Sequence, residues 1–159
     1  MKISTQARYG VRALFDIAYH SAGLSTQVKD ISARQGISPR YIEQIFQKLK
    51  RAGLVKSVRG PAGGYYLVRK PEEIRIGDII RATEGDIALV FCTGSRSAKP
   101  TSCQKTCERA DDCVVRDVWQ EASRRLMEYF DSITLEGLCK VAQSRGIERT
   151  IDKHLMYYI

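Results

Sequence analysis

Cys92, Cys103, Cys107 and Cys113 stand at C-x10-C-x3-C-x5-C in a stretch otherwise rich in Gly, Ser, Thr and Pro. Four thiolates near one point repel each other and stay protonated unless a cation holds them, so such a cluster makes chemical sense when metallated. All-sulfur ligation suits zinc or an iron-sulfur cluster. The spacing is neither the paired C-x2-C of a zinc ribbon nor the C-x2-C-x2-C run of a bacterial ferredoxin, and it leaves both open. A cysteine nucleophile would need an activating base. The only histidines, His20 and His154, lie far from the cysteines in sequence, and no Cys-His-Asn/Asp signature is present. An enzyme is not expected.

A second set of residues could read nucleic acid. Between Pro39 and Ala52, Ile42, Ile45, Phe46 and Leu49 recur at i, i+3, i+4 and i+7, with Ser38 as N-cap, Pro39 behind it and Gly53 as a left-handed stop. The opposite side of that helix carries Arg40, Gln44, Gln47 and Arg51, flanked by Tyr41, Glu43 and Lys48. Arg and Gln are the side chains that pair bidentately with guanine and adenine edges. An isolated helix with such a face would be an ordinary solvated surface, but its neighbours argue otherwise.

A preceding helix, residues 27–35, ends at Gly36 two positions before Ser38, the spacing of a helix-turn-helix whose second helix enters the major groove. Behind it, the β-prone runs 54–58 and 65–69 bracket Arg59-Gly60-Pro61-Ala62-Gly63-Gly64, a hairpin wing with a basic tip. That glycine-rich loop lacks the Gly-Lys-Ser/Thr and the strand-loop-helix frame of a nucleotide site.

The remaining elements support this module. A stripe of Ala7, Val11, Leu14, Phe15 and Ala18 over residues 5–18 completes a three-helix core, and Arg8 and Arg12 on that helix suit phosphate contact and plain solvation equally. Ile76, Ile79, Ile80 and Thr83 predict a short helix ended by Gly85. Residues 86–112 carry no periodicity; a loop of that length is usually functional, and four of the five cysteines lie along it or at its border. Val115, Trp119, Ala122, Leu126, Tyr129 and Ile133 predict a long helix over 114–131 whose stripe exceeds the needs of the neighbouring module, hence a dimer helix, with packing on its own chain alone the alternative. Thr134 caps a last helix over 135–144, on which Cys139 reads as a small buried apolar residue. Ile151, Leu155 and Tyr158 give the tail helical spacing without a role.

Composition agrees. The chain has 159 residues, 43% apolar content and net charge +8. Residues 1–75 hold 14 Lys/Arg against 5 Asp/Glu, while residues 76–159 hold 12 against 13. A basic half that coincides with the helix-turn-helix is a footprint for a polyanion, favouring nucleic acid over a membrane surface. With no apolar signal core and no stretch near 18 apolar residues, a soluble cytoplasmic protein is expected.

The sequences Arg8-Tyr9-Gly10, Asp30-Ile31-Ser32, Arg34-Gln35-Gly36-Ile37-Ser38, Tyr41-Ile42-Glu43-Gln44, Gly53-Leu54-Val55, Val58-Arg59-Gly60-Pro61 and Gly63-Gly64-Tyr65 together resemble the winged-helix family of iron-sulfur-dependent transcriptional regulators. This family includes the iron-sulfur cluster regulator and the nitric-oxide-sensing repressor. The match covers nearly the whole chain.

The resemblance implies a mainly α fold in three parts. A winged helix-turn-helix occupies 1–85, a cysteine-rich metal loop 86–113, and a dimerisation helix with its tail 114–159. It also implies a homodimer on a pseudo-palindromic operator, with no small-molecule substrate and no membrane. Ser38, Arg40, Tyr41, Glu43 and Gln44 would bind DNA, with Arg59 and Gly60 reaching the minor groove. Glu43, repelled by phosphates unless it accepts from a cytosine amine, would discriminate against wrong sites. Cys92, Cys107 and Cys113 match the family's cluster ligands, for a 2Fe-2S or 4Fe-4S cluster, with zinc the alternative metal. Members of the iron-sulfur regulator type carry histidine three residues after the last cysteine. Here that position is Arg116, which is not a ligand. Cys103 is the expected fourth ligand. The family's other solution, a residue of the partner subunit near the first helix, meets Arg8 where a carboxylate would be wanted.

Overall fold

The computed structural model describes residues 3–60, 63–90, 93 and 112–150. Helix α1, Thr5–His20, is the centre of the molecule. Ser4 caps it, its hydroxyl accepting from the backbone N–H groups of Gln6 (3.1 Å) and Ala7 (3.4 Å). Ala7, Ala13, Leu14 and Ile17 are fully buried, and Val11, Phe15 and Ala18 pack at the margin. The buried face is wider than the predicted stripe because α1 is covered from several sides. Gly10 permits the closest approach, since a Cβ there would stand 3.3 Å from the methyls of both Ile79 and Thr83.

Helix α2, Val28–Gln35, ends at Gly36 in the left-handed conformation (φ 62°), and α3, Pro39–Arg51, begins at the Ser38 cap. Ile42, Ile45, Phe46 and Leu49 of α3 are all buried, as their spacing predicts. Strands β1, Val55–Val58, and β2, Gly64–Leu67, form the antiparallel wing in the register Val55↔Leu67 to Val58↔Gly64. The wing is tied to the helix-turn-helix by a backbone bridge, in which Thr26 and Tyr65 exchange two N–H···O bonds of 2.9 Å. Only glycine fits beside it. A Cβ on Gly64 would stand 2.2 Å from the Thr26 carbonyl oxygen.

After a 3-10 turn at Pro71–Glu73 comes α4, Ile76–Glu84, with Ile76, Ile79, Ile80 and Thr83 buried as expected. Helix α5, Val114–Ser132, and helix α6, Leu135–Ser144, complete the described chain. The junction between them is sewn to the start of α4: Ile76 N–H donates to Ile133 O (2.9 Å), and Leu135 N–H donates to Ile74 O (3.0 Å). Helix α6, grouped by sequence with the dimer helix, packs back on α1: Leu135 joins the main core, and Cys139 and Ala142 bury Tyr19. The first residues of the tail follow it. Tyr19 Oη donates to Ile147 O (2.6 Å) and Thr150 N–H to His20 Nδ1 (3.0 Å), which explains why α1 continues past the predicted end at Ala18. Residues 151–159, where the helical spacing of the tail falls, lie outside the described residues.

Candidate nucleic-acid interface

A buried polar network orients the helix-turn-helix. Asp16 of α1 is fully buried and accepts from Arg34 Nε (3.1 and 3.0 Å), Arg34 Nη2 (2.7 Å) and Gln35 Nε2 (2.9 Å). Arg12, one turn earlier, donates to the Gln35 carbonyl and to Gln35 Oε1, covering the C-terminus of α2. Of the two α1 arginines, Arg12 is thus engaged within the chain, whereas Arg8 is exposed and lies 5.3 Å from the Tyr9 ring centroid. Tyr9 in turn meets Tyr41 edge-on at 5.8 Å, fixing the first turn of α3.

The expected reading face is free of the core. Ser38 holds the helix start, accepting from Tyr41 N–H (3.4 Å), and Arg40, Glu43 and Gln44 are exposed while Tyr41 is half-buried. Lys48, expected on the flank, is instead turned inward: its Nζ donates to Gln6 Oε1 and to Thr83 O (2.7 Å), tying α3 to the end of α4. The wing sits against α3 through Tyr65, whose ring meets Phe46 edge-on at 4.5 Å. Burial, helped by the charge of Glu43, raises the Tyr65 phenol above its ordinary value. Tyr65 is therefore a neighbour of the reading face that helical spacing could not point to, because it enters from the strand. Arg59 and Gly60 are exposed at the wing tip, Gly60 at φ 118°.

Of the four candidate metal ligands, Cys92, Cys103 and Cys107 lie outside the described residues. Cys113 is half-buried and occupies the N-cap of α5. A soft sulfur donor placed there, making no side-chain capping bond to α5, fits zinc or an iron-sulfur cluster. The chain entering the loop rests on the same helix. Leu89 N–H donates to Ser123 Oγ (3.2 Å), ten residues and so about 15 Å along the axis from Cys113.

Beyond Cys113, α5 exposes apolar side chains: Val114 is 81% exposed, Val118 62%, Trp119 41% and Tyr129 61%. Ion pairs flank them, where Glu121 accepts from Arg124 (2.6 Å) and Arg125 (2.7 Å) and its carboxyl is pulled down to about 2. Only Ser123 of α5 is buried.

A basic winged helix-turn-helix with a free Arg/Gln face defines a DNA-binding transcriptional regulator, not an enzyme. The chain belongs to the Rrf2 family of iron-dependent transcriptional regulators, whose pattern matches residues 3–141. It is 39% identical over 135 residues to the HTH-type transcriptional regulator IscR of Aliivibrio salmonicida, covering 85% of this chain and 75% of that one. Among solved structures it is similar to T. potens IscR, with TM-score 0.71 and 37% identity over 99% of this chain and 97% of the other. It is also similar to CymR, the global cysteine regulator of B. subtilis, with TM-score 0.68 and 35% identity over 89% and 98%. Among the described residues no helix is long and apolar enough to cross a membrane.

Proposed function

We propose that the protein is a cytoplasmic, homodimeric repressor whose affinity for a pseudo-palindromic operator is set by an iron-sulfur cluster. Cys92, Cys107 and Cys113 hold the cluster, with Cys103 as fourth ligand in place of the histidine that Arg116 replaces. Ser38, Arg40, Tyr41, Glu43 and Gln44 contact the major groove, and Arg59 and Gly60 the minor groove. The division is residues 1–85 for DNA, 86–113 for metal and 114–159 for dimerisation, with α6 contributing to the core of the first.

The observation that carries this reading is α5. A helix that begins at a candidate ligand and exposes Val115 (58%), Val118 and Trp119 links metal state to subunit pairing. Burying such a stripe against its copy would present two recognition helices about a two-fold axis. A bound cluster supplies a group that oxygen, nitric oxide or iron scarcity removes. The chain's own residues convert its presence into a fixed path between the wing domain and α5, and typical coupling of this kind alters affinity about 5- to 150-fold.

The test is operator binding at fixed salt by metal-loaded protein, metal-free protein and Cys107→Ala, with an anaerobic absorption spectrum and iron, sulfide and zinc analysis. Iron and sulfide with state-dependent affinity support the proposal. Stoichiometric zinc in a colourless protein would establish the zinc-stabilised alternative, and equal binding by all three would reduce the cluster to a structural staple. Trp119→Glu should give a monomer by sedimentation; a dimer there removes α5 from the interface.

A further inference from the structure

Helices α4 and α5 meet at a seat made by Gly77, Arg81 and Asp131. The Asp131 carboxylate lies directly on the α4 backbone: a Cβ on Gly77 would stand 1.9 Å from its Oδ1 and 2.9 Å from its Cγ. Arg81, one turn along the same face, closes on that carboxylate as a fork, with Nη2–Oδ1 at 2.7 Å and Nη1–Oδ2 at 3.0 Å. The chain of charge continues toward the wing. Arg81 also donates to Asp78 Oδ1 (3.0 Å), and Asp78 lies 3.8 Å from Arg69, just beyond β2.

These contacts sit beside a pivot. The backbone bonds that join Ile74 and Ile76 to Leu135 and Ile133 fix where α5 leaves the wing domain, and the Asp131 seat, two residues before Ile133, bears on the direction it takes from there. From that end α5 runs 19 residues, about 28 Å, to Cys113. A rotation of about 10° at the pivot moves the far end by about 5 Å, more than the 3.4 Å rise of one DNA base pair.

We propose that Gly77, Arg81 and Asp131 are positioning residues that set the angle between recognition helix and α5, and thereby the half-site spacing the protein accepts. The inference rests on α5 being the dimer helix. Gly77 is the informative member. The atoms its Cβ would strike belong to the end of a side chain, so Gly77→Ala displaces the Asp131 carboxylate while giving α4 a better helix former. Asp131→Asn keeps the shape and removes the charge, and Arg81→Lys keeps the charge and removes the fork.

The experiment uses duplexes selected from a random pool by the wild-type protein, remade as single half-sites and with half-site spacing changed by one and two base pairs. Binding is measured at one salt concentration, with sedimentation and thermal melting alongside. Wild type should prefer its selected spacing by about 10-fold or more, a preference within the range of coupling between sites. Gly77→Ala and Asp131→Asn should remain dimers with half-site affinity unchanged, yet lose most of that preference, and Arg81→Lys should fall between. Undiminished spacing preference in both variants overturns the proposal, and so does a uniform loss on half-sites and full sites alike, the signature of plain destabilisation. A wild-type protein that is monomeric and binds half and full sites equally overturns the dimer reading and this inference together.

Discussion

Asp16 makes the buried polar network of the helix-turn-helix testable by stability alone. Its side chain is fully buried, and that of Arg34 is 16% exposed. In Arg34→Met the carboxylate keeps, among the described residues, the bond from Gln35 Nε2 (2.9 Å). Stripping one partner from a buried ion pair costs about 3 to 5 kcal/mol, and the surviving bond places this site near 3. For a chain of this size about 2 to 4 °C of Tm goes with each kcal/mol, so the melting point should fall by about 6 to 12 °C. Replacing both partners, in Asp16→Leu with Arg34→Met, removes the orphaned charge and should return stability to within about 1 kcal/mol of wild type. Urea unfolding followed by circular dichroism, run as a double-mutant cycle at one metal state, gives both values. A loss below about 1 kcal/mol in the single variant, or a double variant no better than it, would refute the claim that the carboxylate depends on Arg34.

Gly64→Ala must open the Thr26–Tyr65 bridge, forfeiting two backbone bonds worth about 1 kcal/mol each; amide exchange at Thr26 and Tyr65 should accelerate, and unchanged protection would contradict the packing. Burial, with the nearby charge of Glu136, pushes the Cys139 thiol up to about 11, so it should resist alkylation at pH 8 until the protein is unfolded. Rapid native labelling of its peptide, read by mass spectrometry, would show that the α1–α6 seam is open. Hydrogen bonding from Arg81 holds the Asp131 carboxyl below its ordinary range, so the α4–α5 seat is intact at neutral pH and is lost only as pH falls through that depressed value. Carboxyl NMR should show Asp131 titrating below exposed aspartates, with its midpoint rising in Arg81→Met; no difference between the two proteins would exclude the pairing.

Helix α3 was legible because its signals are local. The Ser38-Pro39 start, the Ile42, Ile45, Phe46 and Leu49 stripe and the Gly53 stop lie within 16 residues, and all of them serve in the structure as their chemistry suggests. The wing hairpin and the short α4 were readable for the same reason, although the second strand runs Gly64–Leu67 rather than 65–69 and its register needed coordinates. Periodicity reports that a face is apolar, but not what covers it: the stripe on α5 was visible in sequence, whereas only coordinates show that Val115, Trp119 and Tyr129 of it stay exposed on the single chain while Ile133 packs on the core. The polar contacts were beyond sequence reasoning. Asp16 meets Arg34 across 18 positions, Lys48 meets Thr83 across 35 and Arg81 meets Asp131 across 50. A charged residue between apolar neighbours looks alike whether it is solvated or paired. What decides is the crossing of two helices, and the same holds for Gly64 and Gly77, whose missing side chains matter only because a carbonyl and a carboxylate come to occupy that space.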